Sequence, residues 1–86
     1  MKFVPMLGLL EKALSGGYAV PSFCVWNAET MKAVLRVAAD LEAPVILMNG
    51  PGEFPLLPPA DMASIARSLL RKLRFPPPCI SITAIR

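Results

Sequence analysis

Residues 16–29, GGYAVPSFCVWNAE, carry the signals that decide the fold of this chain. Gly16 and Gly17 are expected to supply the positive φ that ends a preceding helix. Residues 19–25 are apolar enough for a strand that is covered on both faces, although Pro21 donates no ladder hydrogen bond. Asn27 is placed to cap the helix that follows, by accepting the backbone N–H of Glu29 or Thr30. A helix stop, a strand and a helix start in this order predict a βα unit of a parallel α/β fold.

The flanking sequence continues the same alternation. Apolar residues at helical spacing predict three helices, over residues 4–15, 28–41 and 60–72. Short apolar runs predict strands at residues 19–25 and 45–48, and residues 79–86 have the composition of a third strand after the helix-breaking FPPP at 75–78. The predicted buried stripes are Met6, Leu9, Leu10, Ala13 and Leu14 in the first helix, Met31, Val34, Leu35, Ala38 and Leu41 in the second, and Met62, Ile65, Ala66, Leu69, Leu70 and Leu73 in the third. Strands separated by helices are typical of right-handed βαβ units.

Length and composition indicate one domain that is too apolar to bury all of its hydrophobic surface. The chain has 86 residues, of which 55% are hydrophobic and 17% charged. A chain of this size buries only about 60–65% of its unfolded surface, so such an apolar sequence is expected to leave hydrophobic faces exposed and to aggregate on its own. There is no run of about 18 apolar residues that would span a membrane, and the N-terminus has no signal-peptide pattern.

The charged residues and the cysteines do not point strongly to a nucleic-acid-binding, disulfide-rich or metal-binding protein. The net charge is +3, and the basic residues Arg67, Arg71, Lys72 and Arg74 cluster at the end of the third predicted helix. Cations suit that end of the helix dipole, and a polyanion site is the alternative reading. Cys24 and Cys79 have no disulfide or CxxC spacing, which favours a reduced, cytoplasmic protein. The chain contains no histidine.

Several short blocks resemble one enzyme family. Residues 16–30, GGYAVPSFCVWNAET, the block APVIL at 43–47 and the block GPGEF at 50–54 are similar to the N-terminal part of class II, zinc-dependent ketose-bisphosphate aldolases, nearest the tagatose-bisphosphate branch. The resemblance implies a TIM (β/α)8 barrel, a sugar bisphosphate substrate and a zinc cofactor, in enzymes that form oligomers. A complete barrel needs about 250 residues. Residues 1–86 are therefore interpreted as the N-terminal fragment of one barrel domain, with a first helix and about two to three βα units.

The same resemblance indicates which site positions have changed. Cys24 stands where the family usually has an active-site asparagine, and Gly50 stands where serine or threonine is usual. Asn27 is a substrate-contact candidate, although its capping role is the simpler interpretation. The loop at residues 49–52 has neither a P-loop nor a GxGxxG pattern, so a phosphate role there is weakly supported. In the family, the third strand ends in a His-x-Asp-His motif, and here its aspartate and second histidine positions are Ile82 and Thr83.

A change of reading frame would explain that loss. Residues 78–84 can be encoded as CCA TGC ATC TCG ATC ACG GC, and codons that begin one base earlier read ATG CAT CTC GAT CAC GGC. These translate as Met-His-Leu-Asp-His-Gly, which contains the family motif. We therefore interpret residues 74–86 as an off-frame tail that follows an insertion or deletion near residues 73–78.

The sequence thus predicts that this chain belongs to an aldolase family but is itself inactive, because it lacks the residues that the reaction needs. Without imidazoles, this chain is expected to bind no zinc and to have no catalytic residue, since Cys24 and Cys79 have unrelated spacing. Two alternatives stay open: a non-catalytic half-barrel that pairs with another chain through an unpaired sheet edge, and a basic, hydrophobic binder of polyanions or membrane surfaces. We favour the aldolase fragment, and expect no nucleic acid or membrane partner.

Overall fold

The computed structural model describes residues 2–73 and 79–84. It confirms the predicted alternation of helices and strands and adds a short strand at the start. The elements are β1 (Lys2–Phe3), α1 (Met6–Gly16), β2 (Ser22–Cys24), α2 (Ala28–Asp40), β3 (Val45–Asn49), α3 (Pro59–Arg71) and β4 (Cys79–Ala84). The predicted helix break at residues 75–78 and the end of the last strand at 85–86 lie outside the described residues.

The strands form one parallel sheet in the order β1-β4-β3-β2. β3 is the central strand, and it pairs with β2 from Ile46 to Met48 and with β4 along its whole length. This arrangement is a small α/β unit with parallel strands and three helices, compatible with part of a (β/α)8 barrel. The described strands form an open sheet, and a closed barrel remains a prediction.

The main core lies between one face of the sheet and the helices α2 and α3. Val45 and Leu47 of β3 and Ile80 of β4 contribute buried side chains from the sheet. The helices contribute the predicted stripes, with Met31, Leu35 and Ala38 of α2 and Met62, Ala66 and Leu70 of α3 all buried. Ile65, Leu69 and Leu73 of α3 pack against this core while partly exposed, so the stripe predicted for α3 is confirmed.

The first helix packs on β4 and lies outside that core. Leu9 and Ala13 of α1 are buried, yet neither belongs to the α2–α3 core. Because side chains alternate along a strand, the buried Ile46 and Ser81 point away from the face that carries Val45, Leu47 and Ile80. We infer that α1 covers this second face. A right-handed β1-α1-β2 crossover, which runs back across the sheet, requires the same placement.

Three predicted faces are exposed instead of buried. Met6, Leu10 and Leu14 of α1 are exposed, with Leu14 at 85%, because the two buried residues of α1 occupy a stripe narrower than predicted. Strand β2 is three residues long and exposed throughout, because it lies at the edge of the sheet and, among the described strands, pairs only with β3. Leu41 is 71% exposed, because α2 ends at Asp40 and the chain turns away before Leu41 can reach the core.

The helix ends differ in detail from the prediction. Gly17 takes the positive φ of 72°, whereas Gly16 is still helical. A Cβ at Gly16 would lie 2.6 Å from the exposed ring of Tyr18, so a larger residue there would require that ring to move. Helix α2 ends through Glu42, whose φ is 50°. The Ala43 N–H donates to the Ala38 carbonyl at 3.0 Å, which is the bond of a Schellman motif. This motif ends the helix before Ala43, the residue that precedes Pro44.

Candidate functional site

The candidate site lies where β2 and β3 end. Parallel strands bring their carboxyl ends to one edge of the sheet, which is where α/β folds bind ligands. Cys24, Met48 and Thr83 are in register across β2, β3 and β4, so their side chains project from the same face. Thr83, which the resemblance aligns with a histidine of the family motif, is therefore in line with Cys24 across the sheet.

The turn after β3 connects Cys24 and Gly50, the two positions at which the resemblance indicates a change. The thiol of Cys24 donates a hydrogen bond to one carboxylate oxygen of Glu53. The other oxygen accepts the backbone N–H of Gly50 at 3.3 Å. A backbone bond of 3.0 Å from the Glu53 N–H to the Gly50 carbonyl holds this turn. Glu53 thus connects Cys24 and Gly50, which are distant in sequence.

The electrostatics of this pair favour a protonated thiol. The hydrogen bond to Glu53 is the main cause that raises the pKa of Cys24, with partial burial and the negative charge of Glu53 acting in the same direction. The same bond lowers the pKa of Glu53. A thiol held in its neutral form is a poor nucleophile and a poor metal ligand. The carboxylate also occupies the Gly50 N–H, which is a donor that a bound phosphate would need.

The first test of this pair is the reactivity of Cys24. Glu53→Gln removes the carboxylate that raises the pKa of the thiol through its hydrogen bond and its charge, so more thiolate is expected at pH 8 and alkylation by iodoacetamide should be about threefold faster or more. Peptide mapping separates Cys24 from Cys79. Glu42→Gln makes the same change beyond the opposite end of α2 and should leave the rate unaltered. Equal rates in the wild type and Glu53→Gln would contradict the contact.

Asn27 caps α2, as predicted. Its side-chain oxygen accepts the Thr30 N–H at 2.9 Å, and the Thr30 hydroxyl accepts the Asn27 N–H at 3.3 Å. The two bonds form a capping box. Because the side-chain oxygen of Asn27 is engaged in this way, capping explains why an asparagine stands at this position. Contact of Asn27 with a substrate stays a prediction.

Loss of the cap has a measurable cost. Asn27→Ala is expected to lower the free energy of unfolding by about 1 kcal/mol, since it leaves a helix N–H without its partner. Asn27→Asp retains an acceptor at the same position and should be close to the wild type. Urea denaturation followed by circular dichroism measures both. A loss of the same size in Asn27→Asp would mean that the cap is not the source of the stability.

A buried asparagine, Asn49, is the last residue of β3 and lies on the opposite face of the sheet from Cys24. Asn49 is 1% exposed, and its amide nitrogen donates to the Leu57 carbonyl at 2.7 Å. Its side-chain oxygen is buried without a hydrogen-bond partner. Asn49 shares a face with Leu47, opposite to that of Cys24, so it ties the loop at residues 50–57 to the core.

Sequence reasoning identified Cys24, Gly50 and Asn27 but assigned no role to Glu53 or Asn49. A signal for Glu53 was present, because it lies three residues after Gly50 within a glycine-bearing turn. The signal for Asn49 was a polar residue at the end of an apolar strand. Neither pattern indicates that Glu53 reaches across to the neighbouring strand.

The available ligands do not fit a catalytic zinc ion. Such sites use three protein ligands. Across residues 2–73 and 79–84, no group of three or more histidine, cysteine, aspartate or glutamate side chains is placed to hold a metal ion. In the part of the chain that the structure describes, the Cys24 thiol and the Glu53 carboxylate are the groups brought together beside the strand ends, and the whole sequence has no histidine.

The fold and the strand-end site define a parallel α/β unit whose polar residues collect at the carboxyl edge of the sheet. A family model described as class II fructose-bisphosphate aldolase matches residues 4–77. The chain therefore belongs to the class II fructose-bisphosphate aldolase family, whose enzymes are zinc-dependent. Within the described residues, no helix is long and apolar enough to cross a membrane.

Proposed function

We propose that this chain descends from a ketose-bisphosphate aldolase of the tagatose-bisphosphate branch, and that the 86-residue polypeptide does not itself catalyse aldol cleavage. The ancestral substrate is a sugar bisphosphate in the cytoplasm. In the family, a bound zinc ion would supply Lewis-acid chemistry for aldol cleavage. This chain is then related to those enzymes by descent and lacks their metal chemistry.

The observation that carries the proposal is the residue content of the strand ends. Ile82 packs against the hydrophobic core, and Thr83 has neither an imidazole nor an acidic group. Cys24, in register with Thr83, has its thiol bonded to Glu53 and its pKa raised. A neutral thiol, a threonine and a partly buried isoleucine supply neither a zinc ligand set nor a proton donor of the strength that the reaction needs.

An activity assay tests the proposal directly. The purified polypeptide is incubated with fructose and tagatose bisphosphates, with zinc and with EDTA, and triose phosphate release is measured. We expect no turnover above the EDTA control and no stoichiometric zinc by elemental analysis. Zinc at one equivalent together with EDTA-sensitive turnover would overturn the proposal.

The proposed frame change has a separate test. The family match ends at residue 77, so it includes residues 74–77 of the proposed off-frame tail (74–86) and stops before residues 78–84, where the altered motif lies. The nucleotide sequence of the gene should encode His-x-Asp-His one base out of frame over residues 78–84. A gene whose neighbouring frame lacks this motif would refute the frame change while leaving the activity prediction intact.

Pairing with another chain is a second candidate function, supported by the edge of the sheet. An apolar groove of about 360 Å³ lies between β2 and α2 and is lined by Phe23, Val37 and Leu41 among others. These three side chains are exposed beside a strand that pairs on one side only. Size-exclusion chromatography distinguishes a defined oligomer, which this function requires, from the aggregation expected of an incomplete fold.

A further inference from the structure

A basic cleft lies between α2 and α3, on the helical side of the sheet. Its volume is about 240 Å³. Three cationic side chains line it, Lys32 and Arg36 from α2 and Lys72 from the end of α3, and none of the described residues that line it is acidic. Three leucines, Leu35, Leu69 and Leu73, form the remainder of the lining.

The two helices bring these charges together for different local reasons. Lys32 and Arg36 are four residues apart and therefore neighbours on the exposed side of α2. Lys72 is the C-cap residue of α3, where a cation faces the negative end of the helix dipole. Glu29 shares an adjacent depression with Lys32 and Arg36. That carboxylate can offset one positive charge at most, so the cleft retains a surplus of positive charge.

The leucines give the cleft an apolar floor. Leu35 is 1% exposed, and Leu69 and Leu73 are partly buried against the core. None of the three protrudes, so this surface is poorly shaped for insertion into a membrane. The cleft volume of about 240 Å³ exceeds what a single small anion needs.

We propose that this cleft binds a small phosphate monoester that carries a short apolar group. The phosphate dianion matches the convergent cations, and Arg36 can donate two parallel hydrogen bonds to it. The apolar group would cover the leucine floor and displace its water. The site is formed by the helices and uses none of the residues at the strand ends, so it is independent of the proposed function.

Titration of the full chain with hexyl phosphate at low salt tests the proposal, with binding followed by calorimetry and by NMR shifts of the α2 and α3 amides. Binding should saturate and be tighter than that of inorganic phosphate or hexanol. Lys32→Gln and Lys72→Gln should each weaken it by up to about fivefold, because each removes one exposed ion pair. Lys12→Gln removes the same charge from α1 and should leave binding unchanged.

Four results would overturn the proposal. Equal weakening in Lys12→Gln would indicate attraction to the net charge alone. If inorganic phosphate bound as tightly as hexyl phosphate, the leucine floor would contribute nothing to binding. If hexanol bound as tightly as hexyl phosphate, the cations would contribute nothing. Binding to phosphatidylglycerol vesicles without binding of hexyl phosphate would identify a membrane surface instead. Circular dichroism of each variant establishes that its fold is unchanged.

Discussion

Leu47→Ala is expected to lower the free energy of unfolding by about 3–5 kcal/mol. Leu47 is fully buried at the centre of β3, between Phe23 of β2 and Ile82 of β4, and it belongs to the core under α2 and α3. Truncation removes its transfer free energy and leaves a cavity that the paired strands cannot close. A domain of this size has only about 4–13 kcal/mol of stability in total, so the variant should be largely unfolded at modest urea concentrations.

The matched control is Leu56→Ala. This leucine is 74% exposed in the loop after β3, so the same chemical change should alter stability by less than about 0.5 kcal/mol. Urea denaturation followed by circular dichroism gives the midpoint and slope for both variants. Equal midpoints would show that the core is not where the sheet and the two helices place it.

Asn49→Asp is expected to cost several kcal/mol at neutral pH. The substitution places a carboxylate in a buried position and removes the amide N–H that the Leu57 carbonyl accepts. A buried charge with no partner is more costly than a lost hydrogen bond, and here the carboxylate also faces a carbonyl oxygen. We therefore expect the loop at residues 50–57 to detach from the core.

The pH dependence of this variant distinguishes charge from packing. Burial raises the pKa of the new carboxyl in the folded state. The folded state then binds more protons than the unfolded state, so the stability of Asn49→Asp relative to the wild type falls as the pH rises above about 3.9. Asn49→Leu loses the same hydrogen bond without a charge, and its deficit should not vary with pH. Matching pH profiles for the two variants would mean that position 49 is open to water.

The helices show how far local patterns reach. The stripe of α3 and most of that of α2 were predicted correctly, because 3.6-residue periodicity states which side of a helix is apolar. The same periodicity overestimated the buried stripe of α1, where Leu14 is exposed. An apolar face is buried only if another element lies against it, and the sequence of a helix does not contain that information.

In the candidate site too, local contacts were predictable from the sequence and contacts between distant residues were not. The capping role of Asn27 was predictable, since the cap and its partner Thr30 are three residues apart. The contact of Cys24 with Glu53 spans 29 residues and depends on the pairing of β2 with β3. The position of β2 at the sheet edge was equally hidden, so its exposed strand was predicted to be covered.

The sequence alone determined the alternation of helices and strands, the cap of α2 and the absence of imidazole ligands, because composition, periodicity and capping act within a few residues. Only the tertiary structure decided which strand lies at the edge, that Lys2–Phe3 pairs with β4, that Glu53 holds Cys24, and that Lys32, Arg36 and Lys72 line one cleft. These features depend on strand register and helix packing between distant segments, and such contacts form only when the whole sheet is assembled.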